Sequence, residues 1–137
     1  MEFRKRSKRF IRHLLSVPVI YIMILPIIIL DLFLEIYHRI CFLLYKLPYV
    51  KRSTYIKIDR QKLSYLNWLE KLNCMYCSYA NGLFHYASII AAATETYWCG
   101  IQHEKMKGFI PPKHHKDFLP YNDEEAFQRF IKRTKKD

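Results

Sequence analysis

Two short stretches hold the residues best equipped for chemistry. Cys74 and Cys77 stand as a Cys-x2-Cys pair in NCMYC, and Cys99 and His103 stand four residues apart in WCGIQH. A Cys-x2-Cys turn presents two thiolates to one ion, and Cys99 with His103 forms a second bite, making a Cys3His set. Three thiolates and one imidazole suit tetrahedral Zn2+ first, with iron or an iron–sulfur centre second. Twenty-one residues separate Cys77 from Cys99, whereas a standard finger places its second pair about 12–15 residues on. Residues 79–98 look helical, and a straight helix of that length spans about 30 Å. Closing the site therefore requires the helix to break or bend back, with Gly82 and the Thr94–Thr96 pair as the weak points, or the Cys74–Cys77 segment to fold along it.

Blander readings compete. The chain has four cysteines, and free cysteine is among the most buried residue types, so these could simply pack. Cys41 lies inside an apolar segment far from the others, which argues against a disulfide framework. A thiol enzyme at Cys74–Cys77 lacks the βαβ pattern of thioredoxin-like sites. Ser78 follows Cys77 where c-type haem attachment needs His. His85, Ser88, Ala92, Glu95 and Cys99 share a helix face by their three- and four-residue spacing. Glu95 is thus expected to accept a hydrogen bond from a ligand histidine, to bind the ion itself or to act as a base, with His85 as a further neighbour. The plain alternative for Glu95 is a solvated carboxylate. His114 and His115 would add ligands, against a default of a basic solvated loop. Glu35 and His38 form a Glu-x-x-His pair, but a di-iron bundle needs a second such pair. Glu35 is better read as an i,i+4 partner of Arg39.

The elements that must position these residues are mostly helical. Only 3 glycines leave few sites for the tight turns of a barrel or sandwich. Leu14 to Leu30 is uncharged, and extending it to Leu34 reaches the length that crosses a bilayer. A positive flank precedes it as in a signal peptide, yet no small-x-small cleavage site follows, so an anchor is expected. The length favours one crossing. Basic flanks of equal size favour a re-entrant hairpin bent at Pro18 or Pro26. The predicted organisation is a basic flank (1–13), a membrane anchor plus amphipathic helix (14–47), a basic linker (48–59) that is extended or a short strand, and a small helical Cys/His domain (60–137). In that domain Asp59 is expected to cap a helix over 60–72, Gly100 to end a second helix, and Asn122 or Asp123 to cap a last one from Glu124.

Lys+Arg is 23 against Asp+Glu 12, a net charge of +11. The excess gathers beside the apolar segment, at Arg4, Lys5, Arg6, Lys8, Arg9, Arg12, Lys51 and Arg52. That placement points to an anionic lipid surface rather than to nucleic acid.

CMYCSYANGLFHY followed by ATETYWCGIQH resembles an uncharacterised family of small bacterial membrane-anchored proteins with a CxYCxYANG … TExYWCxIxH motif. The resemblance covers nearly the whole chain, including YLNWLEKLNC and DFLPYND. Cys74, Tyr76, Cys77, Tyr79, Ala80, Asn81, Gly82, Thr94, Glu95, Tyr97, Trp98, Cys99 and His103 match. Ala93, Gly100 and Gln102 replace Arg, Pro and Lys of the pattern. The resemblance implies a bacterial inner-membrane protein and no particular reaction; the soluble part is expected in the cytoplasm. Three functions are expected from the chain: a membrane-anchored metal-binding protein, a membrane scaffold or interaction protein with structural cysteines, or a thiol- or metal-dependent enzyme.

Overall fold

An uncharged apolar run must satisfy its backbone polar groups internally, and a helix does this within one segment. The computed structural model describes residues 10–134 and opens with α1 (Phe10–Ile22) and α2 (Ile24–Leu44). The basic residues Arg4, Lys5, Arg6, Lys8 and Arg9 lie outside the described residues. Met23 alone separates the two helices, because Pro26 has no N–H to offer the Ile22 carbonyl. Met23 keeps helical dihedrals (φ −64°, ψ −14°), so the chain runs onward. The hairpin expected at Pro18 or Pro26 is not formed. Leu14–Leu44, 31 residues, is long and apolar enough to cross a membrane. Its outward side chains, among them Leu15, Val19, Leu25 and Phe33, are exposed.

α2 stops through local geometry. Leu47 N–H reaches the Phe42 carbonyl (2.9 Å), Lys46 N–H reaches that of Leu43 (3.3 Å), and Lys46 sits at φ 54°. This is a Schellman ending with a lysine in the left-handed place usually held by glycine. Pro48 follows.

Two compact units make up the chain, Met1–Ala87 and Ser88–Asp137. The division lies inside α3 (Trp68–Trp98) and not at the expected 59/60 boundary. In the first unit the expected linker folds back on α2. A 3₁₀ turn, Arg52–Thr54, takes the place of the expected strand. Val50 N–H donates to His38 Nε2 (3.2 Å), and the Tyr86 hydroxyl bonds His38 Nδ1 (2.9 Å). Since Nε2 accepts, the neutral ring carries its proton on Nδ1 and donates to Tyr86. Arg52 grips Asp31 through both guanidinium ends, with Nη2 2.6 Å from Oδ2, and reaches Glu35 at 3.2 Å. It faces these carboxylates rather than the lipid phosphates expected for it. Lys51 stays exposed. Glu35 pairs with Arg39 as expected, at 3.5 Å. The Tyr79 hydroxyl donates to Asp31 (2.7 Å). Phe42, Leu83, Tyr86 and His38 are fully buried and form the centre of this unit.

α3 fuses the two helices expected over 60–72 and 79–98. Asp59 precedes only a 3₁₀ turn, Arg60–Lys62, and makes no side-chain cap bond. The working cap is Asn67: its Oδ1 accepts from Glu70 N–H (2.9 Å), and Glu70 Oε2 accepts from Asn67 N–H (3.0 Å). That reciprocal pair is a capping box. No Pro or Gly follows until Gly82, so the helix runs through Cys74 and Cys77. Gly82 does not break it either. A Cβ there would lie 2.8 Å from the Tyr55 carbonyl oxygen and 2.9 Å from Ile56 Cα. The glycine lets the 55–56 backbone lie against α3.

The second unit takes the last turns of α3, the loop after it, a 3₁₀ turn (Lys113–Asp117) and α4 (Glu124–Thr134). Gly100, at φ 60°, ends α3 as expected. Asp123 caps α4, its Oδ1 accepting from Ala126 N–H at 2.8 Å.

Candidate metal centre

The second unit brings four polar side chains together. Glu95 lies one turn before the end of α3. Beyond Gly100 the chain is pinned by a parallel bridge, Ile101 to Leu119. Gln102 N–H donates to the Leu119 carbonyl and Leu119 N–H to that of Gly100, both at 2.8 Å. Gln102 Nε2 adds a bond to the Phe118 carbonyl (3.0 Å). This clamp sets His103 beside the 3₁₀ turn that follows Pro111-Pro112. Proline presets an extended entry to that turn, and the turn projects His114 and His115 at Glu95.

Glu95 Oε2 lies 2.7 Å from His114 Nε2, and Oε1 lies 3.0 Å from His115 Nε2. Hydrogen bonds from His114 and then His115 hold the Glu95 carboxyl below the usual carboxylate range. An ionised carboxylate only accepts, so without an ion both imidazoles donate through Nε2. When the ring is neutral, His115 Nδ1 keeps a lone pair. His115 is 4% exposed, and Nδ1 is buried with no hydrogen-bond partner among the described residues. A buried polar nitrogen without a partner costs about 1–3 kcal/mol. The Phe118 ring stacks on His115 at 4.8 Å between centroids and holds its plane. The His103 ring is 5.3 Å from that of His115.

One donor atom each from Glu95, His103 and His115 lies within 4.8 Å of the others. An ion bound at about 2.1 Å holds adjacent ligands about 3.0–3.4 Å apart. The 3.0 Å between Glu95 Oε1 and His115 Nε2 already fits; the wider separations call for a contraction of about an ångström or more. His103 is exposed and has room to supply it. Two imidazoles and a carboxylate form the ligand type of open-sided zinc and non-haem iron sites.

The expected Cys3His set is not assembled. α3 runs unbroken from Trp68 to Trp98, so Cys77 and Cys99 are separated by roughly 30 Å of helix at 1.5 Å per residue. All four cysteines are free, and Cys77 and Cys99 are exposed. His85 belongs to the first unit, where its ring meets the edge of Tyr55 at 4.9 Å. Of the expected residues, His103 and Glu95 enter the cluster, joined by His115 and His114. The signal for the last two was Pro111-Pro112 ahead of two adjacent histidines, since a proline pair fixes the direction in which the next turn points.

The chain matches no protein-family model, no curated protein and no solved structure.

Proposed function

We propose that this chain is a membrane-anchored metal-binding protein holding one divalent first-row ion, zinc or iron, on His103, His115 and Glu95. The observation that carries the reading is the donor set itself: one donor atom each from Glu95, His103 and the buried His115 lies within 4.8 Å of the others. His114 holds the second carboxylate oxygen and fixes the plane of Glu95, the usual role of a group behind a metal ligand. With nitrogen and oxygen donors in the set, an iron–sulfur centre, which needs cysteine thiolates, is not part of the reading.

The anchor is α1 with α2. A soluble core helix of this length would be buried, whereas the outward side chains here are exposed apolar groups that water disfavours. A leader cut away after translocation would strip the first unit of Ile27, His38 and Phe42, which α2 buries. Arg12 and Lys51 suit anionic headgroups, each contributing about 1 kcal/mol near such a surface.

Full-length protein purified anaerobically in detergent should hold about one equivalent of metal per chain by elemental analysis. His103→Ala is the clean variant, because His103 is exposed and its loss spares the core. It should weaken metal binding at least about tenfold. Cys74→Ala with Cys77→Ala should leave the metal content unchanged. Metal-free wild type overturns the reading and reduces the cluster to a Glu–His clip. Loss of metal in the double cysteine variant overturns the ligand assignment.

A further inference from the structure

A cavity of about 330 Å³ opens beside the cluster, with His103 and His115 in its wall. Two of the three proposed ligands thus face one space. A metal held by three protein groups keeps coordination positions free for a further ligand, and with His103 and His115 in the cavity wall such a ligand would enter from the cavity. Its charged lining is Lys105, Lys113 and Lys116 against the single acid Glu104. A divalent ion on His103 and His115 would add positive charge at the wall. Such a space draws anions. The remainder of the wall is largely apolar, formed by Phe109, Met106 and Pro111-Pro112. The volume is at the low end for ligand pockets, which run about 300–1,000 Å³.

We propose that this cavity binds a small organic carboxylate with an apolar body, its carboxylate on the metal and the lysines, its hydrocarbon part against Phe109 and the proline pair. Inorganic anions satisfy the charge and leave the apolar wall wet, so a carboxylate with a ring or short chain is the better fit. This inference rests on the metal reading above.

The test uses full-length protein loaded with Co2+, whose visible absorption reports its ligands. Titration with benzoate should shift the cobalt bands, and inorganic phosphate should require at least about tenfold higher concentration for a comparable change. Lys113→Glu with Lys116→Glu should weaken benzoate at least about tenfold while cobalt still binds. Failure to bind cobalt at all overturns the metal reading and this inference together. Cobalt bound with bands indifferent to benzoate overturns this inference alone. Benzoate binding unaffected by the double lysine reversal overturns the cavity assignment, and equal potency of phosphate overturns the apolar half of the proposal.

Discussion

Tyr79 shows how one side chain reports on its surroundings. Burial and then the hydrogen bond to Asp31 push its hydroxyl up to about 12 from an ordinary 10.0. A group whose pKa is raised by folding contributes stability in full below its unfolded value. The Tyr79 contribution is therefore complete below about pH 10 and lost as pH rises through about 12. With ring-labelled tyrosine, the Tyr79 Cζ resonance should titrate near the upper value, and the signal should be missing in Tyr79→Phe; titration near pH 10 would contradict the buried bond. At this scale the sequence was informative about types and weak about partners. Glu95 and His103 stood out because their chemistry is visible in one letter. His114 and His115 read as a solvated loop, because their tie to Glu95 spans 19 and 20 residues and no periodicity signals it. The cysteine pairs misled for the opposite reason: their spacing is conspicuous, yet it is equally at home on a helix.

Gly82 and Lys46 argue the same point for elements, one from packing and one from dihedrals. In isolation Ala at position 82 would help the helix by about 1 kcal/mol. Its Cβ would strike the backbone of residues 55 and 56, so Gly82→Ala should instead cost about 1–3 kcal/mol in urea unfolding; a stabilised variant would refute the close approach. Lys46 at φ 54° carries the left-handed penalty of about 1–2 kcal/mol, partly offset by the greater unfolded-state freedom of glycine. Lys46→Gly should therefore raise stability by about 0.5–1 kcal/mol in the same assay. Helix ends with local chemistry were legible: Gly100 ended α3, and Asp123 capped α4. The fusion of two expected helices into α3 was not. Asp59 looked like a cap, but the reciprocal bonds of Asn67 and Glu70 start the helix. Gly82 looked like a hinge, but a neighbouring segment requires its missing side chain. Both decisions are made by contacts that a window of sequence does not contain.

For the molecule as a whole, charge and hydropathy sorted the chain correctly into an apolar, helical beginning and a more polar, helical remainder. The first unit nevertheless takes in the segment read as a linker, because Arg52 reaches back 21 residues to Asp31. In cell fractionation, full-length protein should sediment with membranes and resist release by alkaline carbonate. Release by carbonate would remove α1 and α2 as an integral anchor and leave them a surface attachment. Arg52→Met should destabilise the first unit by about 1–3 kcal/mol, since Asp31 then keeps the Tyr79 hydroxyl but loses its guanidinium, and Glu35 is left with the more exposed Arg39; the access of both carboxylates to water keeps the cost below that of a sealed ion pair.

For anyone wishing to divide the protein, α3 leaves no seam. The boundary between the two units falls after Ala87, in the interior of a 31-residue helix. A fragment begun at Ser88 would expose four unpaired backbone N–H groups at a raw helix end and lose the Asn67–Glu70 cap far upstream. A fragment stopped at Ala87 would leave the carbonyls of its last turn equally bare. Each half, to be handled separately, has to carry Asn67 through Gly100, so the two smallest sensible fragments overlap by the whole of α3.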